Sequence, residues 1–252
     1  YKNLFLMSYK SLYIKFFKLL KLFLNKTTRR GLYNNIPATI ELEELLAGLD
    51  LNTIIDVGSN KGQFILLVEK IYKNIKIFSF EPIKEVYLKQ KKFFSNNKNI
   101  KIFNFGLGAK NKDAILNITK KNDSSSILEI KNSHLLGKKF KIIEKRKIIV
   151  KTLDKTLSKF NLKENILLKL DVQGYELEVL LGADKILSRI KYIIIEIAES
   201  QFYKDQQINN SIINYLNKKN FEVLKSCNHF KIKKINYSQK DFLFVNRYFK
   251  ER

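Results

Sequence analysis

From residue 50 onward, short apolar runs rich in β-branched residues alternate with longer segments of helical period, and that alternation restricts the chain more than any other feature. The runs NTIIDV, IKIFSFE, NIKIFNF, NILLKLDV and KYIIIEIAE are almost wholly apolar. Strands of that kind are buried on both faces, as in a parallel sheet. Between them KGQFILLVEKIY, IKEVYLKQKKFF, YELEVLLGADKIL and QINNSIINYLNKK read as crossover helices. The expectation is therefore an α/β fold with a doubly wound, mostly parallel sheet. FEVLK and DFLFVN near the end add an antiparallel pair, so that the last strand runs against the others.

Two segments depart from the rhythm. Lys110 to Val150 contain a strand DAILNIT, a polar stretch KKNDSSS and a basic run into KIIV, which reads as an insertion of antiparallel structure where a substrate cap would sit. Residues 4–24 form a basic amphipathic helix, with Lys10, Ser11, Lys15, Lys18 and Lys21 on one side and Leu12, Phe16, Leu19, Leu20 and Phe23 on the other. Lysines interrupt every long apolar run, so this helix does not span a membrane, and no small-residue cleavage site marks it as a secretory signal. It either packs on the domain or lies on an anionic lipid surface. Two units follow: an N-terminal extension over 1–49, and one α/β domain over 50–252 with its insertion at about 110–150. The sequence starts at Tyr1 rather than at a methionine, so its first residues carry little weight.

The net charge of +24 suggests an anionic partner such as nucleic acid or lipid. Yet 42 of the 48 basic residues are lysine, accompanied by abundant Asn, Ile, Phe and Tyr, which is what an A+T-rich coding sequence produces. Arginine, the usual residue for bidentate phosphate contacts, is scarce, and no specific nucleic-acid partner is expected. The lone Cys227 rules out an intrachain disulfide and fits a reducing, cytoplasmic setting, with membrane association left open by the N-terminal helix. His134 and His229 are too few for a histidine-rich metal site.

The first strand ends in Asp56, Val57, Gly58, Ser59, Asn60, Lys61 and Gly62 and leads directly into a helix. Ligands of open α/β sheets bind beyond the carboxyl ends of the strands, which places a nucleotide-like cofactor at this turn. Gly58 permits the tight turn and Gly62 a close helix–strand approach. The second strand ends at Glu81, 25 residues after Asp56, where a carboxylate accepts hydrogen bonds from both hydroxyls of a ribose. A dinucleotide would bring a pyrophosphate against Asp56, and G-S-N-K-G does not satisfy G-x-G-x-x-G. S-adenosylmethionine carries no phosphate, and its sulfonium and ammonium are attracted to acids, so it is the expected cofactor. Asn104 and Gly106 close the third strand, at the place for backbone contact to adenine.

The fourth strand carries Lys169 in its interior, Asp171 at its tip, and Gln173 and Glu176 in the following turn and helix. Methyl transfer is an in-line displacement at carbon, which needs a positioned, deprotonated acceptor atom. Asp171 or Lys169 is the base or orients it, and Gln173, Glu176 and Ser125 of the insertion are substrate contacts. Lys169 reads equally well as one half of a structural ion pair. Glu196 on the fifth strand partners Lys169 or the substrate. No metal site is expected, because the carboxylates lack a ligand spacing. With Pro37 and Pro82 as the only prolines, the Asn/Asp-Pro-Pro-aromatic motif of amino-directed methyltransferases cannot occur, which favours an oxygen acceptor.

TIIDVGSNKGQF, IFSFEP, VKTLDKTL and LLKLDVQGYELEVLLGA, in that order, resemble the FkbM family of methyltransferases over about residues 50–225. The resemblance implies a Rossmann-like fold that binds S-adenosylmethionine through Asp56, Gly58, Asn60, Gly62 and Glu81, and O-methylation of a sugar, glycan precursor or other small molecule. Asp171, Gly174 and Glu176 match the fourth-strand motif, in which Gln173 stands where glutamate is often found. Two other classes stay open on sequence alone: a basic nucleic-acid-binding or RNA-modifying protein, and a peripheral membrane module with a degenerate pocket. The sequence leaves the oligomeric state undetermined.

Overall fold

A computed structural model describes residues 16–120, 122–131, 138–232 and 236–249. His134 and residues 4–15 of the expected N-terminal helix lie outside the described residues. Seven strands form the main sheet: β1 (Thr53–Val57), β2 (Lys76–Phe80), β3 (Ile100–Phe103), β7 (Ile166–Leu170), β8 (Ile190–Ala198), β9 (Phe221–Ile232) and β10 (Tyr237–Asn246). Their order is β3-β2-β1-β7-β8-β10-β9, and β1 to β8 pair in parallel. β10 runs antiparallel to both its neighbours, which gives the expected reversed strand. The chain thus has the doubly wound, mostly parallel α/β fold, with the strand order reversing at β1 and β7.

Side-chain parity divides the core. Ile55, Val57, Phe78, Phe80, Leu168, Leu170, Ile193 and Ile195 pack on one face of the sheet with Val179, Leu180 and Leu216 of the helices α7 (Glu176–Leu181) and α8 (Asn209–Lys218). Ile54, Ile77, Leu167, Ile194 and Leu243 face the other way, against α4 (Gln63–Ile71) and the N-terminal segment. All five residues of β1 and all five of β7 are buried, as strands covered on both faces must be.

The N-terminal segment comprises helical residues 16–24 (α1), α2 (Lys26–Tyr33) and α3 (Glu43–Leu46). α2 packs on α4. Residues of the insertion build a second sheet of order β4-β6-β5, from β4 (Gly106–Leu107), β5 (Lys112–Thr119) and β6 (Ile142–Lys151). β5 and β6 are antiparallel. Their apolar residues Leu116, Ile118, Ile148 and Val150 close on Ile83 and Val86, at the start of α5 (Lys84–Phe93). This small sheet is held over the carboxyl ends of β1, β2 and β7 by contact with α5.

Candidate functional site

A cleft opens where the strand order reverses. Its floor and walls come from Val57, Gly58 and Asn60 after β1, from Phe80 and Glu81 at the tip of β2, and from Asp171 and Gln173 after β7. The insertion supplies Asp123, Ser125 and Ser126 opposite them. Three carboxylates, Glu81, Asp123 and Asp171, therefore line this cleft, and among the described residues no lysine, arginine or histidine lines it. In a chain of net charge +24 that is a local reversal of sign.

The turn after β1 is held from both sides. Gly58 has φ +75°, and a Cβ there would lie 1.9 Å from the carbonyl oxygen of Asp171, so only glycine allows the two turns to meet. Its N–H and that of Ser59 both donate to the Phe80 carbonyl, each at 3.1 Å. Beneath them Ser79 Oγ lies 2.7 Å from Ser59 Oγ and 2.8 Å from Gln90 Oε1, and Gln90 Nε2 donates to Ser59 Oγ and to the Asn60 carbonyl. This network fixes Asn60 in the left-handed region at φ 47°. The Asn60 Oδ1 atom is buried in the cleft wall with no hydrogen-bond partner. Neither Ser79 nor Gln90 was singled out in the sequence. The available signal was a serine in the apolar run IFSF; that α5 buries Gln90 completely shows only in the folded chain.

Glu81 is buried and accepts a hydrogen bond from the Ile83 N–H at 2.7 Å. Burial raises its pKa to about 7, against the pull of the Ile83 and Asn60 backbone donors. Asp171 is held at both oxygens: Gln173 Nε2 donates to Oδ1 at 2.8 Å and Lys169 Nζ to Oδ2 at 3.2 Å. Its backbone N–H donates to the Val57 carbonyl at 3.1 Å, extending the β1–β7 ladder past the strand ends. Gln173, itself at φ 56°, accepts from Ser126 Oγ through its carbonyl at 2.7 Å, and its Oε1 lies 2.9 Å from the Tyr203 hydroxyl. The insertion is thereby latched to the turn that carries Asp171.

Several expected site residues sit elsewhere. Asp56 does not line the cleft. It shares the parity of Ile54, so its carboxylate points into the α4 side of the sheet, fully buried, 3.6 Å from Lys169 Nζ. Neither oxygen accepts a hydrogen bond. Burial raises the Asp56 pKa to about 6, with Lys169 opposing and Asp171 reinforcing the shift. Lys169, expected as the base or as the group that orients it, stands against Asp171 and Asp56; burial would lower its pKa, but those two carboxylates outweigh it and the net shift is upward. Glu176 braces its own loop, Oε1 accepting from the Val172 and Gly174 N–H groups at 3.2 and 3.1 Å, and is absent from the cleft lining. Its pKa is raised to about 7 by burial despite those donors.

Glu196 sits behind Gln173 in a closely packed polar cluster with Glu176, Tyr203 and Tyr237. It accepts from Gln239 Nε2, and Gln173 Nε2 lies 3.5 Å away. Burial, then Asp171 and Asp241, raise its pKa well above the ordinary value. Gly62, at φ +88°, begins α4, where a Cβ would lie 2.4 Å from the Phe94 ring; it serves helix packing and is absent from the cleft lining. Asn104 lies outside the lining too and braces the β2 tip by donating to the Glu81 and Pro82 carbonyls at 2.9 and 3.0 Å. Gly58, Asn60, Glu81, Gly106, Ser125, Asp171 and Gln173 are the expected residues that the cleft brings together. Among the described residues, no group of three or more His, Cys, Asp or Glu side chains is placed to hold a metal ion.

The acceptor set tests the cofactor. The buried Asn60 Oδ1 lacks a donor, and Glu81 and Asp171 add carboxylates to a wall without cationic side chains. S-adenosylmethionine brings an ammonium, ribose hydroxyls and a positive sulfur, all of which such a wall accepts; a pyrophosphate would find no counter-charge. The residues present fit it.

The family described as methyltransferase FkbM domain matches residues 56–223, from the last turn of β1 to the start of β9. Methyltransferase 1 of Beauveria bassiana (strain ARSEF 2860) is 26% identical over 166 residues, which cover 60% of this chain and 67% of that protein. Among solved structures, magnesium protoporphyrin IX methyltransferase from Synechocystis PCC 6803 with bound SAM superposes with a TM-score of 0.46 at 9% identity, over 92% of this chain and 91% of that one. Precorrin-6y C5,15-methyltransferase from Geobacter metallireducens GS-15 gives 0.43 at 10% identity, over 82% and 86%.

Proposed function

The chain belongs to the FkbM family of methyltransferases, with S-adenosylmethionine as its cofactor, and on that premise we propose that it methylates a hydroxyl group of a sugar, glycan precursor or other small molecule. The observation that carries this reading is the acidic cleft, in which Asp171 is presented by two donors opposite the polar residues of the insertion. When bound, S-adenosylmethionine supplies an electrophilic methyl group on a cationic sulfur.

The chain's own residues divide the remaining work. Glu81 and Asn60 Oδ1 accept from the cofactor's hydroxyl and ammonium groups, and the turn at Gly58 leaves room for it. Lys169 and Gln173 each donate to one Asp171 oxygen and so fix the plane of its carboxylate. Each Asp171 oxygen retains a lone pair, so the carboxylate can accept the proton of an acceptor hydroxyl as that oxygen becomes nucleophilic. Ser125 and Asp123, across the cleft, offer short polar groups suited to a polyhydroxy acceptor. An RNA acceptor would bring phosphates to a cleft lined by acids, which disfavours it.

Transfer of an isotopically labelled methyl group to a panel of monosaccharides, nucleotide sugars and small alcohols tests the proposal. Label recovered as a methyl ether on a hydroxyl supports it, and label recovered on RNA or on an amine overturns it. Asp171→Asn keeps the shape of the side chain, and turnover is expected to fall about 10²–10⁴-fold even at saturating S-adenosylmethionine.

A further inference from the structure

α1 is fastened to the protein by a narrow line of contacts. Leu22 is buried, its carbonyl accepts from Thr28 Oγ1 at 2.6 Å, and Lys18 pairs with Glu41 at 2.7 Å. At 100° per residue, Lys18 and Leu22 share one side of the helix. The opposite arc, about 160° wide by the same spacing, is occupied by Phe16, Phe17, Leu19, Leu20, Phe23 and Leu24 without a polar residue. These six are exposed, Phe16 to 60% and Leu24 to 73%. Tyr33 of α2, 72% exposed, meets Phe23 edge-on and widens the patch. The helix therefore turns its large apolar face outward, the reverse of the arrangement that builds a core.

Charge identifies what covers it. The first 40 residues contain eight lysines and arginines and no aspartate or glutamate. Exposed Lys21 and Lys26 border the patch, and the Arg29 guanidinium lies 5.8 Å from the Phe23 ring centre. A second copy of the chain would bring the same positive rim and be repelled. A bilayer surface with anionic headgroups meets both halves of the pattern, because the rings and leucines enter the headgroup boundary while the cations face phosphate. Among the described residues no helix is long and apolar enough to cross a membrane, so the helix would lie on the surface rather than span it.

We propose that α1 docks this protein peripherally on anionic lipid surfaces through Phe16, Phe17, Leu19, Leu20, Phe23 and Leu24, with the flanking lysines and arginines on the headgroups. The test is co-flotation of the full chain with phosphatidylcholine vesicles, with and without phosphatidylglycerol. At least about tenfold tighter binding to the anionic vesicles is expected, weakening as salt is raised. Leu20→Glu combined with Phe23→Glu should lower vesicle affinity by at least about tenfold. Because both side chains are about half exposed, Leu20 to 42% and Phe23 to 48%, and are absent from the cleft lining, the affinity for S-adenosylmethionine should be unchanged and the protein should stay folded. The proposal is overturned by equal binding of the doubly substituted protein, by indifference to anionic lipid, or by absence of binding. It is also overturned if sedimentation shows a self-associating protein that the same substitutions make monomeric.

Discussion

The polar layer under the floor of the cleft and the wall of the cleft use the same residue types to opposite ends. Asp56 and Glu81 end adjacent parallel strands, both are buried, and burial raises the pKa of both. Asp56 faces Lys169 inside the protein, while Glu81 faces the space a ligand would fill. Burial and a shifted pKa are thus shared by a charge that supports the site and a charge that meets the ligand. Which is which depends on the direction of one side chain along a strand with a two-residue period.

The contrast is sharpest at Lys169. Replacing it with methionine keeps most of its volume but leaves Asp56 and Asp171 without their cation, and a loss of about 3–5 kcal/mol in denaturant unfolding is expected. Stability equal to that of the unsubstituted protein would break the idea that the floor is held by that cation. On the wall, Glu81→Gln should behave in the opposite manner. Folding stability at neutral pH should hold or rise, since a desolvated charge is removed, while S-adenosylmethionine binding measured by calorimetry weakens by about 1.5–3 kcal/mol. A large loss of stability with intact affinity would instead make Glu81 a second floor residue.

A pH series exposes a smaller effect with two signs. Glu81 and Glu176 hold their protons more tightly in the folded protein than their ordinary value of 4.5, each near 7. Their contribution to the stability of the ligand-free protein is therefore complete below pH 4.5 and is lost as pH rises through about 7. Cofactor binding needs the Glu81 carboxylate as an acceptor, so affinity should rise over that same interval, by up to about tenfold per pH unit. Glu81→Gln should flatten the affinity profile, and an unaltered slope would detach that profile from Glu81. The least effect is expected at Ser79→Ala, which removes one node of the Ser59–Gln90 network and should cost about 1 kcal/mol of stability. The affinity for S-adenosylmethionine should fall with it, because the network positions Asn60.

The strands of the parallel sheet, the crossover helices and the reversed β10 were legible in the sequence because hydrophobic runs and helical periods are local signals. So was the location of the cleft, which follows from Gly58 and the tips of β1, β2 and β7. The direction of the Asp56 side chain was not legible. In a strand buried on both faces, the alternation that would reveal its parity is masked, since Ile54, Ile55 and Val57 are all apolar. The bonds that Glu176 and Asn104 make were not legible for a different reason. Each satisfies backbone groups a few residues away or on a neighbouring strand, and such bonds appear only once the turns are folded. Gln90 went unnoticed because a glutamine among the lysines of α5 looks like an ordinary solvent-facing residue.

The contact between Gly58 and the Asp171 carbonyl has a thermodynamic consequence. The two turns touch without an intervening side chain, so on the proposed reading an acceptor that draws Asp171 toward itself would also displace the turn offered to the methyl donor. Occupancy at either position then biases the other, and the two ligands must alter one another's equilibrium binding by the same factor. A substitution confined to one turn would be read out at both.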